Sequence, residues 1–390
     1  MRISNKLSRI KPSATLTISA KAMDLRAQGR EIISLSVGEP DFGTPQHICD
    51  AAKAALDEGF TRYTQVPGIP ELRTAVAEYF NSYYGTKATL EATMVTNGGK
   101  QALYNIMQAL LNPGDKVLIP GPYWVSYPAM VKLADAEPVI VPAGADKGFK
   151  ITPEDLDAAY TADVKMLLLN SPSNPTGVQY TEAELYALAQ WAVDHDVFVI
   201  SDEIYDRLIY APAEPVSLAP LWEKHPEHVA VVNGLSKSFA MTGWRLGFVL
   251  AHPDLIKAMS KIQGQSTSNV NSITQKAALA ALNGPRDFMA TMNEAFMRRR
   301  DKAMEIVATW PGVVCPRPDG AFYIFPDVSA LYNEKMPDST TMCTVLLEEA
   351  GVASVPGAAF GDDRCVRFSY ALDDETLITA LNKVGEVILP

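Results

Sequence analysis

The stretch KMLLLNSPSNPTGVQYTEAELYALAQWAVDHDVFVISDEIY runs from Lys165 to Tyr205. It opens on a short apolar strand, KMLLLN, and crosses a turn rich in Ser, Pro and Asn. A helical segment begins at Thr181. Thr181 and Glu184 stand three apart at its start, the spacing of a reciprocal capping box. A second apolar run, VFVIS, then ends at Asp202-Glu203-Ile204-Tyr205. Strands that are apolar almost throughout are buried on both faces, and such strands separated by helices pair in parallel. The stretch therefore reads as strand, helix, strand in a mostly parallel sheet of an α/β fold.

The alternation extends both ways. TPQHICDAAKAALDEG places Thr44 as an expected N-cap, Pro45 at the first helical position and Gly59 as the stop. IPELRTAVAEYFNSYYG repeats the arrangement with Pro70 and Gly85, and NGGKQALYNIMQALLNPGD reads as a glycine turn feeding a helix. KVLIP and HVAVVNG are further buried strands. After about Gly284 the pattern changes. A long amphipathic helix, on which Arg298, Arg299 and Arg300 are expected to form a solvated face, precedes short strands in GAFYIFP and CVRFSYA and a closing helix from Asp374. The expected division is a large domain over 44–284 and a small α+β domain over 285–390, joined by the N-terminal segment 1–43.

A chain of 390 residues is long enough for two such units. A net charge of −11 argues against nucleic-acid binding, which needs clustered Lys and Arg. Cys49, Cys315, Cys343 and Cys365 are scattered without a CxxC pair, so neither a zinc site nor a disulfide framework is indicated. The histidines lack HExxH-type spacing, and no metal is expected. No apolar run reaches membrane-spanning length, and the basic N-terminus lacks the apolar core of a signal peptide. A cytoplasmic location is the expectation.

The polar residues collect where the apolar strands end. KMLLLN runs into a turn carrying Asn174, VFVIS into Asp202 and Tyr205, and HVAVVNG into Ser236 and Lys237. In open parallel sheets, ligands bind beyond the carboxyl ends of the strands. Taken singly, Asn174 also suits a turn, Asp202 a helix cap and Tyr205 a core ring; their joint delivery to one edge is harder to explain that way. A nucleophilic lysine needs a depressed pKa, and its usual use is a Schiff base to a carbonyl. If the carbonyl belongs to pyridoxal 5'-phosphate, the ring nitrogen needs a buried carboxylate, which Asp202 supplies. The phenolic oxygen needs donors such as Asn174 and Tyr205. The phosphate needs an arginine and helix N-terminal amides, matched by Arg245 and the turn Gly98-Gly99-Lys100. Trp124 could stack on the flat ring.

The sequence resembles the fold-type I, pyridoxal-phosphate-dependent class I aminotransferases over nearly its whole length. It is most similar to the bacterial subgroup containing aspartate and prephenate aminotransferases. The motifs that carry the resemblance, in family order, are KPSAT, VGEPDF, TRYT, NGGKQAL, PYWVSYP, NSPSNPTG, SDEIY, NGLSKSFAMTGWRLG and VRFSYA. The resemblance implies that Lys237 forms the Schiff base with the cofactor and moves the substrate proton. It implies that Asp202 pairs with the pyridinium, that Asn174 and Tyr205 hold the phenolic oxygen, and that Trp124 stacks on the ring. Arg245, Gly99, Lys100 and Ser236 would hold the phosphate. Tyr63 would reach the phosphate of a neighbouring subunit, making a homodimer with shared sites. Arg367 would clamp the substrate α-carboxylate, assisted by Asn174 and the backbone near Gly38. The arginine that other aspartate aminotransferases use for the distal carboxylate has no clear match; Lys11, Thr15 and Thr17 stand as candidates in its place. The implied reaction is ping-pong transfer from L-aspartate to 2-oxoglutarate, with a prephenate-accepting enzyme that forms arogenate as the alternative. More distant readings are a pyridoxal-phosphate lyase, an aminotransferase-like regulator, which needs an added DNA-binding segment, and a nicotinamide dehydrogenase, which needs GxGxxG after a strand.

Overall fold

The structure, a computed structural model, describes residues 1–10, 12 and 14–389. Its strands are β1 (Ile33–Ser34), β2 (Thr93–Thr96), β3 (Lys116–Gly121), β4 (Glu137–Pro142), β5 (Val164–Asn170), β6 (Phe198–Asp202), β7 (Val229–Gly234), β8 (Gly247–Leu250), β9 (Tyr323–Ile324), β10 (Val352–Ala353), β11 (Val355–Pro356) and β12 (Val366–Ser369). The large sheet has the order β2-β8-β7-β6-β5-β3-β4. Strands β3 to β7 pair in parallel, and β8 alone runs against its neighbours β7 and β2.

Alternate residues of a strand point to opposite faces. Here Leu167, Leu169, Val199, Val229 and Val231 enter one apolar cluster, while Met166, Leu168, Ile200, Ala230 and Val232 enter another. Helix Glu182–Asp194 covers the first face with Leu185, Leu188 and Ala192; helix Gly99–Leu110 covers the second with Ile106 and Met107. Each fully buried aliphatic side chain contributes about 1.5–3 kcal/mol, so the two-sided cover holds the strand ends in fixed register. The Thr181–Glu184 capping box is formed in both directions.

The second unit holds the antiparallel sheet β11-β12-β9 and the parallel pair β1-β10. Helices Asp287–Val307 and Asp374–Ile388 pack against it, and its apolar cluster takes in Leu35 and Tyr205. It therefore packs directly against the end of β6.

Two expectations need correction. Thr44 is not an N-cap: the helix Gln46–Asp57 starts after Pro45, with no side-chain cap bond. Thr44 Oγ1 instead donates to Ala240 O at 2.7 Å and accepts from Trp244 Nε1 at 2.9 Å, tying this segment to the loop that follows Lys237. The three arginines do not form one solvated face either. Successive helical residues turn by about 100°, so three in a row cannot share a face. Arg298 is exposed, but Arg299 and Arg300 are buried. Arg299 grips Asp41 through two bonds of 2.8 and 2.9 Å and also reaches Asp374; Arg300 donates to Pro318 O and Asp301.

Candidate active site

A cavity of about 400 Å³ opens beyond the carboxyl ends of β5, β6 and β7. Gly38, Gly99, Lys100, Trp124, Asn174, Asp202, Tyr205, Ser236, Lys237, Arg245 and Arg367 all line it. Tyr63 does not; it is 91% exposed. Thr17 lies exposed on helix Ala14–Ala27 and is not among the lining residues. Thr15 falls on the same helix, and Lys11 lies outside the described residues.

Lys237 donates to the carbonyl of Gly38, which brings the N-terminal segment onto the lysine. Burial lowers its pKa to about 8; nearby Glu39 opposes the shift, and Arg367 and Arg245 add to it. This ammonium loses its proton far more readily than one in water, as a nucleophile or base requires.

Asp202 is buried, and burial pushes its carboxyl up to about 6. Tyr127 Oη donates to its Oδ2 at 2.7 Å, and the Ile204 amide approaches Oδ1 at 3.3 Å. Tyr205 Oη shares a 3.0 Å bond with Tyr323 Oη, linking the end of β6 to β9.

Arg367 is only 2% exposed, although it sits on a short strand. Its guanidinium donates to Asn174 Oδ1 at 2.9 Å and Ser36 O at 2.7 Å, and its Nε has no partner among the described residues. The rings of Tyr323 and Phe360 flank it at 4.5 and 5.0 Å. Both accepting groups are neutral. A buried cation with no matching anion among the described residues is costly and suits a carboxylate-binding site.

Another group of lining residues is suited to a second anion. Helix Gly99–Leu110 points its N-terminus there, beside Arg245, Lys100 and Ser236. Gly98 has φ +82°, and a Cβ on it would stand 2.6 Å from the Arg245 guanidinium. A Cβ on Gly247 would stand 2.3 Å from the Gly99 amide nitrogen. Both glycines are therefore needed to bring helix, strand and arginine together. Free amides and a helix dipole beside guanidinium fit a phosphate. Lys100 holds its Nζ 4.8 Å over the Trp124 ring, and burial followed by Arg245 lowers its pKa.

Sequence reasoning did not single out Tyr127, Asn170, Thr242 and Tyr323, which also line the cavity. Tyr127 lies within the motif PYWVSYP that had drawn attention to Trp124, so a signal was present. Nothing local marked Tyr323, since β9 is two residues long.

Beside Asp202, Glu203 points away into the core. It is fully buried and accepts from Ser201 Oγ at 2.7 Å and Leu218 N at 2.9 Å. Burial raises its carboxyl to about 7. The folded protein thus keeps a proton that the unfolded chain sheds from about pH 4.5 upward, and stability falls as pH rises to about 7. Glu203→Gln is expected to gain thermal stability over the parent near pH 8, by up to about 3 kcal/mol, with the difference closing toward pH 4. Melting temperatures across that range check this; a pH-independent difference would refute it.

Among the described residues, no group of three His, Cys, Asp or Glu could hold a metal ion, and no helix is long and apolar enough to cross a membrane. The four cysteines are free.

The family model described as aminotransferase class I and II matches residues 30–384. The chain belongs to this aminotransferase family. It is 48% identical to the aspartate/prephenate aminotransferase of Cereibacter sphaeroides over 389 residues, covering 98% of this chain and 97% of that one. It is 44% identical to the aspartate aminotransferase of Bacillus subtilis, covering 100% and 99% of the two chains. The solved aspartate aminotransferase of Thermus thermophilus with maleate superposes with a TM-score of 0.94 at 45% identity, covering 99% of this chain and all of that one. The fold is thus the fold-type I aminotransferase fold, with its large, mostly parallel sheet.

Proposed function

We propose that this chain is a pyridoxal 5'-phosphate-dependent aspartate aminotransferase that moves the amino group of L-aspartate to 2-oxoglutarate in two half-reactions. One observation carries the reading: a readily neutralised lysine shares a cavity with a buried carboxylate and with a buried guanidinium bonded only to neutral groups. The names of the relatives support aspartate as the donor.

The cavity fits the cofactor on its own terms. The helix N-terminus with Gly99, Ser236 and Arg245 suits its phosphate, Asp202 suits a ring nitrogen that must stay protonated, and Trp124 suits the ring face. Asn174 and Tyr205 suit the phenolic oxygen, and Lys237 is the amine that would hold the cofactor covalently. When bound, pyridoxal phosphate supplies a carbonyl that takes up the amino group and a ring that accepts electrons.

The chain's residues do the rest. Arg367 orients the substrate α-carboxylate with a two-pronged bond, with Asn174 and the Gly38 backbone beside it. Lys237 Nζ, neutral once its proton is lost, removes the Cα proton of the amino acid in the first half-reaction. In the second it returns a proton to the carbon that was the oxo acid's carbonyl, after that carbon has exchanged its oxygen, lost as water, for the amino nitrogen. Asp202 would stabilise positive charge at the ring nitrogen of a bound cofactor. A dicarboxylate needs a second cation. Lys100 is the described lysine in the cavity besides Lys237, and it joins Lys11, Thr15 and Thr17 as a candidate for the distal carboxylate.

The proposed organisation follows the same reading: an N-terminal segment 1–43 with the small domain 285–390, a large domain 44–284, and a cytoplasmic homodimer in which Tyr63 completes the partner's site. A second reading keeps cofactor and donor but takes prephenate as acceptor. The 48% identity to an aspartate/prephenate aminotransferase favours it. Visible absorbance separates the two. L-Aspartate is expected to discharge the band of the lysine-linked cofactor, and 2-oxoglutarate to restore it. Restoration by prephenate as well would establish the second acceptor. A cofactor-saturated protein without the band would overturn the assignment of Lys237.

A further inference from the structure

We infer that Tyr127 is a positioning residue that holds Asp202 in its ionised, cofactor-binding state while its ring packs on Trp124. The inference rests on the pyridoxal-phosphate reading above. Tyr127 opens the short helix Tyr127–Leu133 that follows β3, and it is 2% exposed. Its hydroxyl donates to Asp202 Oδ2 at 2.7 Å, and its ring meets Trp124 edge-on, with centroids 5.4 Å apart and planes at 84°. One side chain thus contacts both groups that would hold the cofactor ring, one by its oxygen and the other by its edge.

The direction of the bond matters. A phenol donates to a carboxylate, and that bond strengthens when the acceptor is charged. Asp202 lies where burial favours the neutral acid, and Tyr127 is the largest opposing influence, ahead of the Ile204 amide and the Lys237 ammonium. Tyr205 is a further titratable group near Asp202. Burial and the Asp202 charge both keep the Tyr127 phenol protonated, so the donor persists through the neutral range. Without it, Asp202 would retain its proton to higher pH and pair less well with a protonated ring nitrogen.

Tyr127→Phe keeps the ring and its contact with Trp124 and removes one oxygen. The experiment measures the dissociation constant of pyridoxal 5'-phosphate from about pH 5 to 9, for the parent, Tyr127→Phe, Asp202→Asn and the double variant. Loss of a hydrogen bond to a charged group predicts about 10-fold weaker binding at neutral pH. The acid limb, where affinity falls as Asp202 takes up its proton, is expected to move to higher pH. In the Asp202→Asn background the same substitution is expected to change affinity by less than about 2-fold, because the charged acceptor and its titration are already gone and only a neutral bond remains to be lost. Unchanged affinity and an unmoved acid limb in Tyr127→Phe would overturn the inference. So would an equal loss in both backgrounds, which would mean packing alone. A parent that binds no pyridoxal phosphate at any pH would overturn the cofactor reading and this inference with it. A binding parent with an indifferent Tyr127→Phe removes only the inference.

Discussion

Lys237→Ala is expected to fold, to bind pyridoxal phosphate without a covalent link and to lose turnover by at least about 10⁴-fold, the upper range for a positioned acid–base group. Three properties of the native lysine explain the size. It lies in the cavity at the end of β7, its amine is held by the Gly38 carbonyl, and burial brings its pKa to about 8. Alanine removes the nucleophile and the proton carrier in one step, and no other described lysine in the cavity except Lys100 could stand in. Lys100 is held over Trp124 at 4.8 Å, beside the helix N-terminus. The measurement is steady-state turnover of L-aspartate with 2-oxoglutarate, alongside an absorbance scan for the lysine-linked band. Turnover within about 10-fold of the parent would remove Lys237 from the mechanism, since a positioned acid–base group alone is worth more.

Asp202→Asn is expected to weaken cofactor binding and slow turnover by on the order of 10³-fold, the scale set by removing an electrostatic group aimed at developing charge. Its effect on stability should have the opposite sign. Burial raises the Asp202 carboxyl from 3.8 to about 6 in the folded protein. Between those values the folded state holds a proton that the unfolded chain has released. Stability therefore falls as pH rises through that window, and the cost persists above it. Asparagine carries no such charge. The cofactor-free variant is expected to exceed the parent near pH 8 by up to about 3 kcal/mol, with no advantage below about pH 4. A residue kept for folding would lose stability when replaced. A residue kept for function despite its cost gains stability and loses activity. Paired melting and rate measurements distinguish the two, and lost activity with lost stability near pH 8 would count against the functional role.

Much of the fold and site could be read from local patterns. The runs KMLLLN, VFVIS and HVAVVNG became β5, β6 and β7, shifted by a residue or so at their ends. Pro70 and Gly85 bound their helix as the turn chemistry requires. Asn174, Asp202, Ser236 and Lys237 meet in one cavity because parallel strands deliver their carboxyl ends to one edge. The failures share a cause. Thr44 has the chemistry of an N-cap, yet its hydroxyl is taken by Ala240 and Trp244, nearly two hundred positions away in the chain. Arg299 and Arg300 read as solvated because charge usually is, but Asp41 and the Pro318 carbonyl come to them from other segments.

Residue order alone settles what depends on neighbours within a turn or a strand: where helices and strands lie, which strands are buried on both faces, and which side chains stand at their ends. Those features follow from backbone periodicity and capping, which are short-range. Tertiary structure decides the chemical state of the groups so delivered. Lys237 gives up its proton readily because it is buried beside the Gly38 segment and Arg367, and Asp202 keeps a donor to its carboxylate because Tyr127 arrives from 75 positions away. Arg367 becomes a buried cation facing neutral acceptors because Asn174 and Ser36 reach it within a ring-lined pocket. Desolvation and charge pairing depend on everything within several ångströms, whatever its distance along the chain.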